Sequence, residues 1–276
     1  MMNLLKADFR RVFKDKLMIV LIILTVIFAL INPLIYALIF TGMDDIEKEL
    51  ISLFLDVSGK AQFFESFSLD SNLGLVAPVL LAIVLCKDFS HGTVRNKIIA
   101  GKSRVAIYLS TFVTCSAVLI GIMLLQGFLT LGISLLFFEY QSGGFAFADV
   151  WYFAESLAFE LLILLLVSAM LTWFCTCMKN VGLVIVLYVA SIFSLSLESA
   201  LLQTVYQVME WTNGNEFILS VLRFADKINI MSAAAMVGRG TSYRFEDVCY
   251  ITIPTILATM AFTGFGILGF RKKDIK

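Results

Sequence analysis

The chain alternates between long apolar runs and short polar connectors. Apolar residues fill about 17–40, 105–138, 151–178, 181–202 and 249–270, and a shorter run spans Leu73–Cys86. A helix rises 1.5 Å per residue, so about 20 apolar residues cross the roughly 30 Å of bilayer hydrocarbon. Five runs meet that length. The sixth is extended to about 71–87, with Pro78 as a potential kink because proline lacks a backbone donor. The expectation is one all-α, six-span membrane domain over residues 1–276. Residues before the first run add Met2, Leu5, Phe9, Val12 and Phe13 at helical spacing, with Lys6, Asp8, Arg10, Arg11 and Lys14 between them. That pattern predicts an amphipathic helix lying flat on the inner leaflet; the alternative is a simple continuation of the first span.

Composition agrees with lipid as the solvent. Sixty per cent of the 276 residues are hydrophobic and 15% are charged, whereas a soluble domain carries about 25% charged residues to face water. The first run is 24 residues long and no small-residue cleavage site follows it, so it reads as a span and not as a signal peptide. Net charge is zero, and nothing points to nucleic acid.

Charge sorts by connector. Fifteen of the 21 basic residues fall before the first run, between the second and third, at Lys179, and after the last. Basic residues mark cytoplasmic loops, so both termini are expected in the cytoplasm and the number of spans is even. Residues 41–72 would then lie outside with seven acids against two lysines. Segment 203–248 would also lie outside, its apolar stretches Phe217–Leu222 and Ile228–Val237 forming short helices that dip into the outer leaflet. Glu155, Glu160 and Glu198 are assigned to the outer ends of spans, where carboxylates reach headgroups or water. That assignment argues against an ion-coupled carrier.

Few residues suggest covalent chemistry. Gly101-Lys102-Ser103 ends like a P-loop, but Asn96 stands where the motif needs its first glycine, and no strand precedes it. Ser142-Gly143-Gly144 is likewise a chance match to an ATPase signature. His91 is the single histidine, and the five cysteines form neither a disulfide framework nor a metal set; Cys175 and Cys177 read as packing residues. The chain is not expected to be an enzyme, to bind ATP or to carry a cofactor.

The connector 88–104 is the most informative. Thr93 suits an N-cap and Gly101 a C′ position, framing a two-turn helix with Val94, Ile98 and Ile99 apolar and Arg95 and Lys97 charged; Ser103 would cap the next span. A bare connector needs only a few residues.

The run Asp88-x-x-x-Gly92-Thr93-x-Arg95-Asn96-Lys97-Ile98, followed by Gly101-x-Ser103-Arg104, resembles the segment after the second span in bacterial type-2 ABC transporter permeases. The resemblance extends over the chain as architecture: a basic amphipathic helix, six spans, a tight turn at Lys179-Asn180, a longer loop before the last span and a basic ending. It implies a coupling helix docked on a separate cytoplasmic ABC ATPase and a second permease subunit, identical or homologous. Substrate would move along their interface, generally outward. Asp88, Gly92, Thr93, Val94, Arg95, Ile98, Ile99, Gly101 and Arg104 are the candidate coupling residues, with Arg95 and Arg104 facing ATPase carboxylates or lipid phosphates. The rival readings are a stand-alone secondary transporter or channel, which needs ionisable groups at the bilayer midplane, and an intramembrane enzyme.

Overall fold

The computed structural model describes residues 2–273 except 45, 47–49, 51–55, 70, 91, 142–143, 179, 213–214 and 239–242. His91, Lys179, Lys48 and the acids Asp45, Glu47, Glu49 and Asp70 lie outside the described residues. All regular elements among those described are helices: α1 Met2–Lys14, α2 Lys16–Thr41, α3 Gly59–Phe67, α4 Asn72–Ser90, α5 Thr93–Ile99, α6 Arg104–Ser134, α7 Phe147–Cys177, α8 Val181–Trp211, α9 Glu216–Ile228, α10 Ile230–Val237 and α11 Phe245–Lys272.

Five of these, α2, α6, α7, α8 and α11, are long and apolar enough to cross a membrane. Leu73–Phe89 of α4 with Thr93–Ile99 of α5, bent by 51°, brings the number to six if the pair is one span. The expected runs map onto these helices with shifted ends. The third stops at Ser134, four residues short of 138, and the fifth continues nine residues beyond 202 to Trp211. Segment 203–248 contains two helices, α9 and α10, capped by Asn215 and Asn229, whose side chains accept from the N–H groups of Phe217 and Met231.

Helix α7 is the hub. Two thirds of its most apolar window is buried (67%), against 50% for α6 and 11% for α8. Its most extensive partner is α11. Small and hydroxylated residues allow these helices to approach. Ser116, Ser168 and Thr255 return their hydroxyl protons to carbonyls four residues earlier, so each is buried at little polar cost. A Cβ at Gly266 of α11 would collide with the Tyr108 ring of α6, which fixes glycine there. Cys86 and Cys175 are buried, with sulfurs 3.2 Å apart, consistent with packing.

The end of the bundle away from α1 is tied by its own contacts. Gly59 and Lys60 N–H groups donate to the Glu139 and Tyr140 carbonyls at 3.0 Å, and Lys60 pairs with Asp149 at 2.6 Å. Ser68 donates to the Ala234 carbonyl of α10.

One expectation about charge is corrected. Glu160 is not at a span end: it lies 13 residues into the 31-residue α7, fully buried, with its carboxyl beside the Leu69 backbone N–H and no cation paired with it among the described residues. Flanking aromatics shield it, with Phe159 edge-on to Tyr243 at 4.7 Å, and Tyr243 hydrogen-bonded to Ser156. Glu155 has one buried oxygen without a hydrogen-bond partner among the described residues, whereas Glu198 is exposed.

Candidate functional site: a charged knot anchoring helix α5

Helix α5 is seven residues long, too short to persist without tertiary support. Its anchor is built from α1, α4, α6 and α11. Val94 is 3% exposed and packs with Leu4, Ile107, Tyr108 and Phe270, one side chain from each surrounding helix except α4 and two from α6. Burying Val94 contributes on the order of 1.5–3 kcal/mol. Ile98 and Phe89 lie against the same cluster, half-buried.

A polar network surrounds this apolar contact. Lys97 of α5 reaches Asp8 of α1 at 2.6 Å and Asp88 of α4 at 3.3 Å. Asp8 also accepts from Ser110 of α6 at 2.6 Å, and Asp88 pairs with Arg11 of α1. Two carboxylates are thus met by two cations and a hydroxyl drawn from four helices. Burial pulls Lys97 and Arg11 below their ordinary pKa values, and attraction to Asp8 opposes that shift in both. Nearby, Lys87 of α4 pairs at 2.7 Å with Asp15, whose carboxylate also caps α2 by accepting from Leu17. Arg104 donates to the carbonyls of Phe270, Arg271 and Lys273 at the end of α11, and Lys273 donates to those of Thr176, Cys177 and Met178 at the end of α7. Cations satisfying final-turn carbonyls also oppose the negative end of the helix dipole.

These contacts divide the candidate residues. Asp88 and Val94 are internal anchors. Arg104, expected to face an outside acid, is engaged as the cap of α11. Arg95, Asn96, Ile99, Ala100 and Lys102 form the outward face, with Ile99 73% exposed. Thr93 is not the N-cap: Gly92 holds that position at φ +68 without a side-chain cap, and Thr93 already has helical geometry. The turn from α4 needs a left-handed residue, which glycine adopts without a Cβ penalty. Gly101 follows Ala100 at φ +79, closing the helix, and Ser103 accepts from Ala106 at the start of α6.

Helix α1 is the part that periodicity misjudged. Its buried line is Leu4, Asp8 and Val12, so Asp8 faces the bundle, while Lys6, Arg10 and Lys14 are exposed together with the apolar Met2 and Phe13. Spacing alone counted Asp8 among the solvated charges. The signal for its role was tertiary: a lysine and a serine far along the chain, at 97 and 110.

The fold therefore defines an all-helical protein with five to six apolar helices of membrane-spanning length. The chain belongs to the family described as "Protein of unknown function (DUF2705)", whose match covers residues 54–276. None of the curated proteins matches this sequence.

Proposed function

We propose that this chain is the membrane-spanning permease subunit of an ABC exporter, moving substrate across the cell membrane with ATP hydrolysed by a separate cytoplasmic subunit. The observation that carries the reading is helix α5, held on one side by the Asp8–Lys97–Asp88–Arg11 knot while its other side presents Arg95, Asn96 and Ile99 outward. A free connector has no reason to be anchored to four helices. A lever that must pass force from a partner to the spans needs such anchoring. The basic residues gathered at this end support a cytoplasmic placement by the positive-inside rule, and α1, with exposed basic side chains beside the exposed Met2 and Phe13, suits the inner leaflet surface. Helices α2 and α8 have the exposed apolar flanks expected of surfaces covered by lipid or by a second permease subunit.

The test is co-purification. Ile99→Asp with Arg95→Glu changes only outward residues, so the double variant should reach the membrane at normal abundance yet lose the ATPase partner and transport. Retention of both would remove the basis for the coupling role.

A stand-alone, proton-coupled carrier is favoured by one observation, the buried Glu160 at mid-length of α7, which has no ion-pair partner among the described residues. Transport in proteoliposomes driven by a proton gradient with no ATPase present, and abolished by Glu160→Gln, would select this reading.

A further inference from the structure

Away from the α5 knot, α7, α8, α9, α10 and α11 line a half-open cavity of about 590 Å³. Sites of a few hundred to a thousand Å³ commonly hold small ligands. Leu166, Met170, Trp173 and Phe262 line its apolar part, and Glu198 and Asn229 lie along its α8–α10 side. Ser191 and Glu198 both line it and are seven residues apart on α8, so the polar wall runs about 10 Å along the helix.

The polar groups here are spent as donors. Ser191 donates to Leu187 O at 2.7 Å, Ser194 to Ser191 O at 2.9 Å and Thr255 to Ile251 O at 2.6 Å. Asn229 donates to Leu195 O and, at 3.5 Å, to Glu198, while its own oxygen accepts from Met231 N. The hydroxyls thus offer the cavity only lone pairs, and Glu198 has no ion-pair partner among the described residues. At the other end Trp173 and Phe262, with ring centroids 5.3 Å apart, supply aromatic surface. Acceptors and an unpaired carboxylate over an apolar chamber select for a ligand that brings its own positive charge and donors.

We infer that this cavity binds a cationic amphiphile, its protonated amine at Glu198 and its apolar body against Met170, Trp173 and Phe262. The inference does not depend on the ABC reading, because no ATPase enters it.

The probe is an alkylammonium carrying a nitroxide near its chain end, compared with the alcohol and the alkyl sulfate of the same chain. The protein is held in phosphatidylcholine nanodiscs, with Trp151→Phe and Trp211→Phe leaving Trp173 as the single indole. The ammonium should quench Trp173 saturably, about tenfold more tightly than the alcohol, with the sulfate weakest. Glu198→Gln should erase that preference, Glu198→Asp should keep it, and Ala258→Leu, which fills the chamber, should remove saturable quenching. Equal quenching by ammonium and alcohol in the parent protein overturns the inference, as does a preference that survives Glu198→Gln or saturable quenching that survives Ala258→Leu. Thermal unfolding of each variant confirms that it is folded.

Discussion

The Lys97 ammonium lies 2.6 Å from the Asp8 carboxylate, joining positions 89 residues apart in the chain. Both side chains are largely withdrawn from water, at 11% and 3% exposure. A buried pair of this kind adds little net stability over an apolar replacement, yet removing one partner leaves the other charged and unpaired. Its value lies in specificity: it fixes where α1 docks and how α5 is oriented.

Asp8→Ala should therefore destabilise the protein by about 3 kcal/mol, since Lys97 and Ser110 both lose their acceptor. Asp8→Leu combined with Lys97→Met should recover more than half of that loss. The comparison is made by thermal unfolding in one detergent, and equal losses for single and double variants would contradict the pairing.

Gly266 and Tyr108 make a steric prediction. Gly266→Ala should cost about 1–3 kcal/mol through overpacking, and a smaller residue at 108, such as Tyr108→Leu, should restore much of it in the double variant. The Tyr108 hydroxyl is buried without a hydrogen-bond partner among the described residues, so Tyr108→Phe alone should be neutral or stabilising. Unfolding midpoints of the four proteins decide the matter.

Orientation can be tested by labelling. In a background with the five native cysteines replaced, a cysteine at Lys102 should react with impermeant reagent only after the cells are opened. One at Asp56 or Glu216 should react in intact cells. Labelling of Lys102→Cys from outside would reject the proposed topology.

The isolated chain should hydrolyse no ATP above background, and Lys102→Ala should leave the stimulated rate of a reconstituted complex within about twofold of the parent. Hydrolysis by the chain alone, lost on changing Lys102, would make Gly101-Lys102-Ser103 part of a nucleotide site.

Acid should loosen the junction of α1 and α2. Burial raises the Asp15 pKa, but the bond from Lys87, the Leu17 N–H and the nearby Arg11 charge outweigh it, so the group sits below its ordinary value of 3.8. A carboxyl depressed by folding contributes stability that is present above its unfolded pKa and is lost as pH falls through the folded one. Unfolding midpoints should drop more steeply below about pH 4 in the parent than in Asp15→Asn; parallel curves would show that Asp15 contributes nothing.

The long apolar runs determine the spans, because a helix in hydrocarbon must satisfy every backbone group internally and that demand is written in length and composition alone. Caps were legible too, at Gly101 and Ser103, since they depend on neighbours in sequence. What the sequence left undecided is the partner of each charge. Asp8 fits the polar face of α1 by periodicity, and only the packing of α1 on α6 turns it inward to Lys97 and Ser110. Arg104 reads as a surface cation until the end of α11 arrives beside it. Glu160 reads as interfacial by its distance from a run's edge, yet the start of α7 at Phe147 and the cover of Phe159 and Tyr243 enclose it. Pattern along one helix records which faces dislike water. It cannot record which other helix supplies the counter-charge, because that depends on how the bundle is assembled in three dimensions.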